Sequence, residues 1–285
     1  MSLAAAARVR RANSVERTSA PVAGSINLMD TAKAYWLLDN ARSFARVVEL
    51  KEKYMSDLKS KNILVLGASG VLGSTLSTKL AAQGATVMAT SSTLESAERV
   101  PQAGNPRLLV DLTNPESIRV LIDYLIESEA KIDGIVNATG VVAFGNFTDL
   151  TAEVLTKLFA VNTTGPIHLI QGLLPALKLS AAAGNDPFIV NISGVVAESP
   201  MAGLAAYSSS KAALYAFDQA ISRELRRDGI RVIDARPGHT ETGLAGRAIG
   251  GVAPAFPQGM SADQVADRIV KAIVEDEKDL PSTAF

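Results

Sequence analysis

Asn62-Ile-Leu-Val-Leu-Gly67-Ala-Ser-Gly70-Val-Leu-Gly73 is an apolar run that stops at a glycine and resumes with helical spacing. Residues 62–66 predict a strand apolar on both faces, as a strand covered by helices on both sides must be. Gly67, Gly70 and Gly73 follow directly and open a helix. A dinucleotide's pyrophosphate needs backbone N–H groups there and no obstructing Cβ. Glycine turns also serve simply to pack helix on strand, so the stretch alone leaves both readings open.

Outward from it, short β-branched runs alternate with longer helical patterns, the signature of parallel strands joined by crossover helices. Strands are predicted at 62–66, 85–90, 108–111, 132–137, 188–192 and 230–236, with a short last one at 280–285. Helices are predicted at 71–83, 115–129, 151–182, 207–227 and 262–274. The fold class is therefore α/β, a doubly wound, mostly parallel seven-stranded sheet with helices on both faces. Such sheets take ligands beyond the carboxyl ends of their strands, where strand order reverses.

Three segments stand outside this alternation. Residues 1–25 carry Arg8, Arg10, Arg11 and Arg17 with Glu16 as the only acid, a composition shared by disordered tails and organelle transit peptides. Residues 26–60 read as a helical extension, apolar residues recurring from Leu28 through Trp36 to Leu58 at helical spacing. It suits packing on the main domain or an oligomer arm. Residues 61–285 form the main domain, within which 243–259 holds five glycines and two prolines and reads as a mobile lid.

Composition narrows the function. Hydrophobic residues make up 47% and charged residues 20%, enough for a large core. A net charge of -1 and pI of about 6.2 give no basic excess for nucleic acid. With no cysteine and only His168 and His239, thiolate chemistry is excluded and a metal site is not expected. No apolar run reaches the roughly 18 residues of a membrane span. The expected setting is cytoplasmic, with a transit peptide at 1–25 the alternative.

The chemistry concentrates in Ser193, Tyr207 and Lys211. Tyr207 and Lys211 are four residues apart and so share a helix face, where an ammonium could favour the ionised phenol. Bringing a tyrosine from about 10 to about 7 asks for roughly 4 kcal/mol. Together with Gly67-Ala-Ser-Gly-Val-Leu-Gly73, Asp111, Asn137-Ala-Thr-Gly140, Asn162, Tyr207-Ser-Ser-Ser-Lys211 and the segment 235–242, this order resembles the short-chain dehydrogenase/reductase family over about residues 61–285.

That resemblance implies a Rossmann-like fold and a hydride-transfer site. It implies Tyr207 as general acid or base, Ser193 holding the substrate oxygen, Lys211 binding the nicotinamide ribose and Asn162 holding a relay water. It implies a cofactor cleft of Gly67, Ser69, Gly70, Leu72, Gly73, Ser91, Ser92, Asp111, Leu112, Asn137, Gly140, Pro237, Gly238 and Thr242, with Tyr207 and Lys211. Asp111 equally suits an Asx turn, Ser193 a loop cap and Asn162 a helix kink. The GxxGxxG spacing resembles longer epimerase-like members, but only 74 residues follow Lys211, too few for their separate substrate domain. The family also implies pairing into a homodimer or homotetramer.

Thr90, Ser91, Ser92 and Thr93 stand where an acid would hold the ribose 2′-OH of NAD, and Arg99 lies near. NADP(H) is therefore favoured over NAD(H). Val141, Val142, Phe144, Phe147, Val195, Val196, Met201 and Leu204 imply a small apolar or amphiphilic carbonyl or alcohol as substrate. Two alternatives stand. One is a 3-oxoacyl thioester reductase with Arg223, Arg226 and Arg227 as its basic rim; the other is a dinucleotide-binding sensor or scaffold without turnover. Glu198, His239 and Glu241 suit either a polar substrate contact or a solvated loop, and His168 a structural place in its helix.

Overall fold

Along β1 (Asn62–Leu66), Ile63 and Val65 enter one apolar layer and Leu64 and Leu66 the other. This period of two with both faces apolar sandwiches the sheet between helices. The structure is a computed structural model that describes residues 57–100 and 108–285. The expected tail and all of the helical extension before residue 57 lie outside the described residues. Residues 57–60 lead into β1 through a turn with Leu58 buried.

The remaining elements are α1 (Val71–Ala82), β2 (Thr86–Ser91), α2 (Leu94–Ala97), β3 (Leu108–Leu109), α3 (Pro115–Glu127), β4 (Gly134–Asn137), α4 (Ala152–Phe159), α5 (Gly165–Ala182), β5 (Phe188–Ile192), α6 (Ala205–Glu224), β6 (Arg231–Ala235), β7 (Thr240–Glu241), β8 (Met260–Ser261), α7 (Ala262–Val274) and β9 (Asp279–Leu280). The main sheet is seven-stranded and parallel throughout, in the order β3-β2-β1-β4-β5-β6-β9, with β7 and β8 paired apart from it. Order reverses between β1 and β4, so Leu66 and Asn137 end side by side at the switch point.

Helices start where side chains satisfy their free N–H groups. The Asn114 side chain accepts from Glu116 N with Pro115 in the first turn of α3, Thr151 caps α4, and Ser261 with Gln264 forms a capping box on α7. α1 and α7 pack on one face of the sheet through Leu76, Leu80, Val265 and Ile269. α3 and α5 cover the other through Ile118, Leu121, Leu169 and Leu173.

Three expectations are corrected. The single helix over 151–182 is two, joined by a π-helical turn at Ala160–Thr164. The last strand spans only Asp279–Leu280 and is followed by a 3-10 turn at Ser282–Ala284. The segment 243–259 is pinned at its centre, Ile249 N donating to Val142 O and Phe144 N to Gly250 O, each at 2.8 Å.

Candidate active site

Gly67 leaves β1 with φ +73°, a conformation that favours glycine. A Cβ on Gly73 would lie 2.2 Å from Gly67 O, so only a bare Cα lets α1 close on the turn. Gly70 precedes α1 without a side-chain cap. The N–H groups of Val71, Leu72 and Gly73 thus have no intrahelical partner, and these residues line the cavity. That is the positive helix end that suits a phosphate, so the residues present fit a dinucleotide.

The cavity, about 670 Å³, runs along the strand ends from Ser91 past Gly67 to Tyr207 and Phe256. It brings together every expected cofactor residue except Asn137. Asn137 is buried behind the wall, donating to Asn191 Oδ1 at 2.8 Å and accepting from Thr139 N at 3.1 Å; Ala138, Thr139 and Gly140 line the cavity in its place. Asp111 lines the cavity and forms the Asx turn as well, its Oδ1 accepting from Thr113 N and Oγ1. At the end of β2, Ser91, Ser92, Thr93 and Arg99 form one wall. Thr93 and Ser96 also cap α2 reciprocally.

Asn162 sits in the π-helical turn, an insertion frequent at functional sites. It has no exposed surface and clamps Val141, accepting from Val141 N at 2.9 Å and donating to Val141 O at 3.0 Å. Its amide also donates to Ser210 Oγ at 3.0 Å, and Ser210 in turn donates to Tyr207 O. The side chain therefore positions the cavity wall and α6.

Tyr207 and Lys211 both face the cavity from the first turns of α6. Burial pushes the Tyr207 phenol up to about 12. Burial pulls Lys211 down to about 8, against the opposing pull of Asp234 and Asp218. Burial alone sets the direction for the phenol, and Lys211 Nζ donates to Ile192 O at 2.7 Å.

Ser193 lies at the cavity wall. Its hydroxyl donates to Asp234 Oδ1 at 2.8 Å, and the residue, although it borders the cavity, has no accessible surface. In this arrangement its hydroxyl proton is committed to Asp234. Asp234 belongs to a layer that sequence reasoning missed. Arg236, 2% exposed, donates to Asp234 and Asp279, is bonded to Glu198 at 2.6 Å, and stands 4.4 Å from the Tyr215 ring centre. Glu198 also accepts from Ser282 N and, although exposed, does not border the cavity. A run of Asp-Ala-Arg at the end of a buried strand was the available signal.

On the substrate side, Val142, Phe144, Val196, Leu204 and Leu244 form an apolar wall. Phe256 reaches it, with its ring centre 5.9 Å from Phe144 and stacked at 4.9 Å on His239. Phe147, 77% exposed, stays outside. Glu241 fixes the loop by accepting from Gly259 N, and His168 faces outward on α5. Arg223, Arg226 and Arg227 are exposed at the far end of α6; Arg223 lies about 18 Å along the helix from Lys211. They form no rim to this cavity.

A parallel sheet with a glycine turn at its switch point and a tyrosine and lysine one helical turn apart beside it defines a Rossmann-type oxidoreductase. The sequence profile of the short chain dehydrogenases matches residues 61–249, and the chain belongs to the short-chain dehydrogenase/reductase family. It is 29% identical to an uncharacterized oxidoreductase of Staphylococcus epidermidis over 78% of this chain and 94% of that one. A short chain dehydrogenase of Burkholderia cenocepacia solved in complex with NADP is 26% identical with TM-score 0.67, covering 80% of this chain and 99% of the other. The fold also matches, at 21% identity and TM-score 0.70 over 80% and 99%, a 3-ketoacyl-(acyl-carrier-protein) reductase of Brucella melitensis complexed with NADH. Among the described residues no helix is long and apolar enough to cross a membrane, and no cluster of metal-ligating side chains occurs.

Proposed function

We propose that the protein is an NADP(H)-dependent oxidoreductase that reduces a ketone or aldehyde, or oxidises the corresponding secondary alcohol, on a small apolar or amphiphilic substrate. The observation that carries this reading is that Tyr207 and Lys211 line the same cavity as the Gly67–Gly73 turn. A bound nicotinamide dinucleotide would supply or accept the hydride. The protein's share is orientation, exclusion of water and one proton.

Tyr207 donates its phenolic proton to the carbonyl oxygen in reduction and takes it back in oxidation. Holding its proton to about pH 12, it is ready as an acid at neutral pH. Lys211 offers a charge beside Gly140 and Ile192, where a cofactor ribose would sit, and Asn162 keeps Val141 in register with that wall. NADP(H) is favoured because Ser91, Ser92 and Thr93 present hydroxyls, Arg99 a cation and no residue there a carboxylate to repel a 2′-phosphate. Val142, Phe144, Val196, Leu204 and Phe256 suit an apolar substrate body.

The test is Tyr207→Phe assayed on a panel of carbonyls with NADPH. Turnover falls by roughly 10²- to 10⁴-fold while NADPH binding, followed by fluorescence titration, persists. Turnover near wild type removes Tyr207 from the reaction. Tight binding by the wild type with no turnover across the panel marks a protein that only binds the dinucleotide.

A further inference from the structure

Four charged groups crowd the layer between α6 and strands β5 and β6: Lys211, Asp218, Asp234 and Arg236, none more than 4% exposed. Their hydrogen bonds fix which oxygens are committed. Asn137 Nδ2 donates to Asn191 Oδ1, and Asn191 Nδ2 then donates to Asp218 Oδ1 at 2.7 Å. On the other carboxyl, Asp234 Oδ1 accepts from Ser193 Oγ at 2.8 Å and from Arg236 at 2.6 Å. Asp218 Oδ2 and Asp234 Oδ2 are both sealed from solvent, and neither receives a donor from any amide, hydroxyl, ammonium or guanidinium.

The two carboxyl groups meet at Asn191, whose side chain holds Asp218 and whose strand position pairs in register with Asp234. Ionised carboxylates only accept, so two of them cannot bond unless one carries a proton. Leaving both oxygens bare and charged in a layer sealed from solvent is unfavourable; a shared proton removes that cost. We propose that Asp218 and Asp234 hold a single proton between them, seated on Asp218 Oδ2 and donated to Asp234 Oδ2, so that the pair presents one negative charge to Lys211.

The side of the pair that keeps the proton follows from the partners. Asp234 has a guanidinium and a hydroxyl on its other oxygen and is the better anion; Asp218 has only the Asn191 amide. Burial and the Asp234 charge raise Asp218 well above the usual carboxylate range, with Lys211 opposing. Around the pair the charged groups are Lys211 from α6, Arg236 after β6, and Glu198 and Asp279 beyond Arg236. The single charge offsets the burial that would strip Lys211 of its proton. That consequence rests on the function proposed for Lys211; the shared proton does not.

The test uses the full-length, cofactor-free protein. The infrared difference spectrum of wild type minus Asp218→Asn at pH 7 should contain the carbonyl band of a protonated carboxyl, shifted by ²H₂O. Asp218→Asn, whose amide can donate to Asp234 Oδ2 as the acid does, should keep the wild-type melting temperature. A wild type without that band overturns the proposal. The pH dependence of stability is a second, independent readout. A proton held by the fold gives stability that is present below the unfolded aspartate range and lost as pH rises through the raised folded value. Wild type should therefore lose stability relative to Asp218→Asn toward alkaline pH, and parallel curves overturn the proposal. For the effect on Lys211, Asp234→Asn should move the alkaline limb of NADPH binding to lower pH while Asp218→Asn leaves it in place; coincident limbs overturn that effect alone. Failure of Tyr207→Phe to affect turnover would leave the infrared and stability outcomes untouched.

Discussion

The Lys211 ammonium donates to the carbonyl oxygen of Ile192, the last residue of β5, at 2.7 Å. This bond fastens α6 to the strand end, yet the charge itself weakens the fold. A displacement from 10.5 to about 8 opposes the charged form by about 3 kcal/mol. The folded value is depressed, so the stability this lysine contributes is complete above pH 10.5 and gone below about 8. Lys211→Met should therefore match or exceed the wild-type melting temperature at pH 7 while losing turnover, by calorimetry and NADPH oxidation. A drop of several degrees would contradict this balance.

Ser193→Ala removes a neutral donor from Asp234 at the cavity wall. The expected cost is about 1 kcal/mol of stability, measured in urea, with kcat reduced less than tenfold. A loss of turnover as deep as that of Tyr207→Phe would restore Ser193 to direct contact with substrate.

Arg99→Ala tests the choice of cofactor. Removing a charge-assisted contact to the 2′-phosphate should weaken NADPH binding by roughly tenfold, or about 1.4 kcal/mol, and leave NADH binding unchanged. Calorimetric titration with both cofactors reads the difference directly, and equal losses would move the 2′-phosphate away from Arg99.

Gly73→Ala places a methyl group 2.2 Å from Gly67 O, backbone against backbone. The strain should cost about 1–3 kcal/mol and open the turn. Dinucleotide binding is then lost before folding is, as thermal melts with and without NADPH would report. Retained binding would mean that the turn does not hold the pyrophosphate.

The strands and their order of appearance were legible because each is short, apolar on both faces and bounded by turn residues, as 62–66 and 188–192 show. Gly67, Gly70 and Gly73 and the Tyr207-Lys211 pair were legible because local spacing fixes where they point. What Ser193, Asn137 and Asn162 bond to was not. Their partners, Asp234, Asn191 and Val141, lie 41, 54 and 21 residues away, and pairing across strands is a tertiary matter. The break of one predicted helix into two at Ala160–Thr164 escaped for a related reason, since 3.6-residue periodicity runs on through a single wide turn.

Gly251 makes a close approach to Phe144, where a Cβ would lie 1.9 Å from Phe144 O, and the bonds at Ile249 and Gly250 secure the same spot. The covering segment is thereby partitioned. Leu244, Ala245 and Arg247 before this rivet border Thr242 and the cofactor end of the cavity; Phe256 after it meets Phe144 and His239. A change confined to 252–258 therefore reshapes the Phe144 and His239 side of the cavity and leaves the Leu244–Arg247 side as it is.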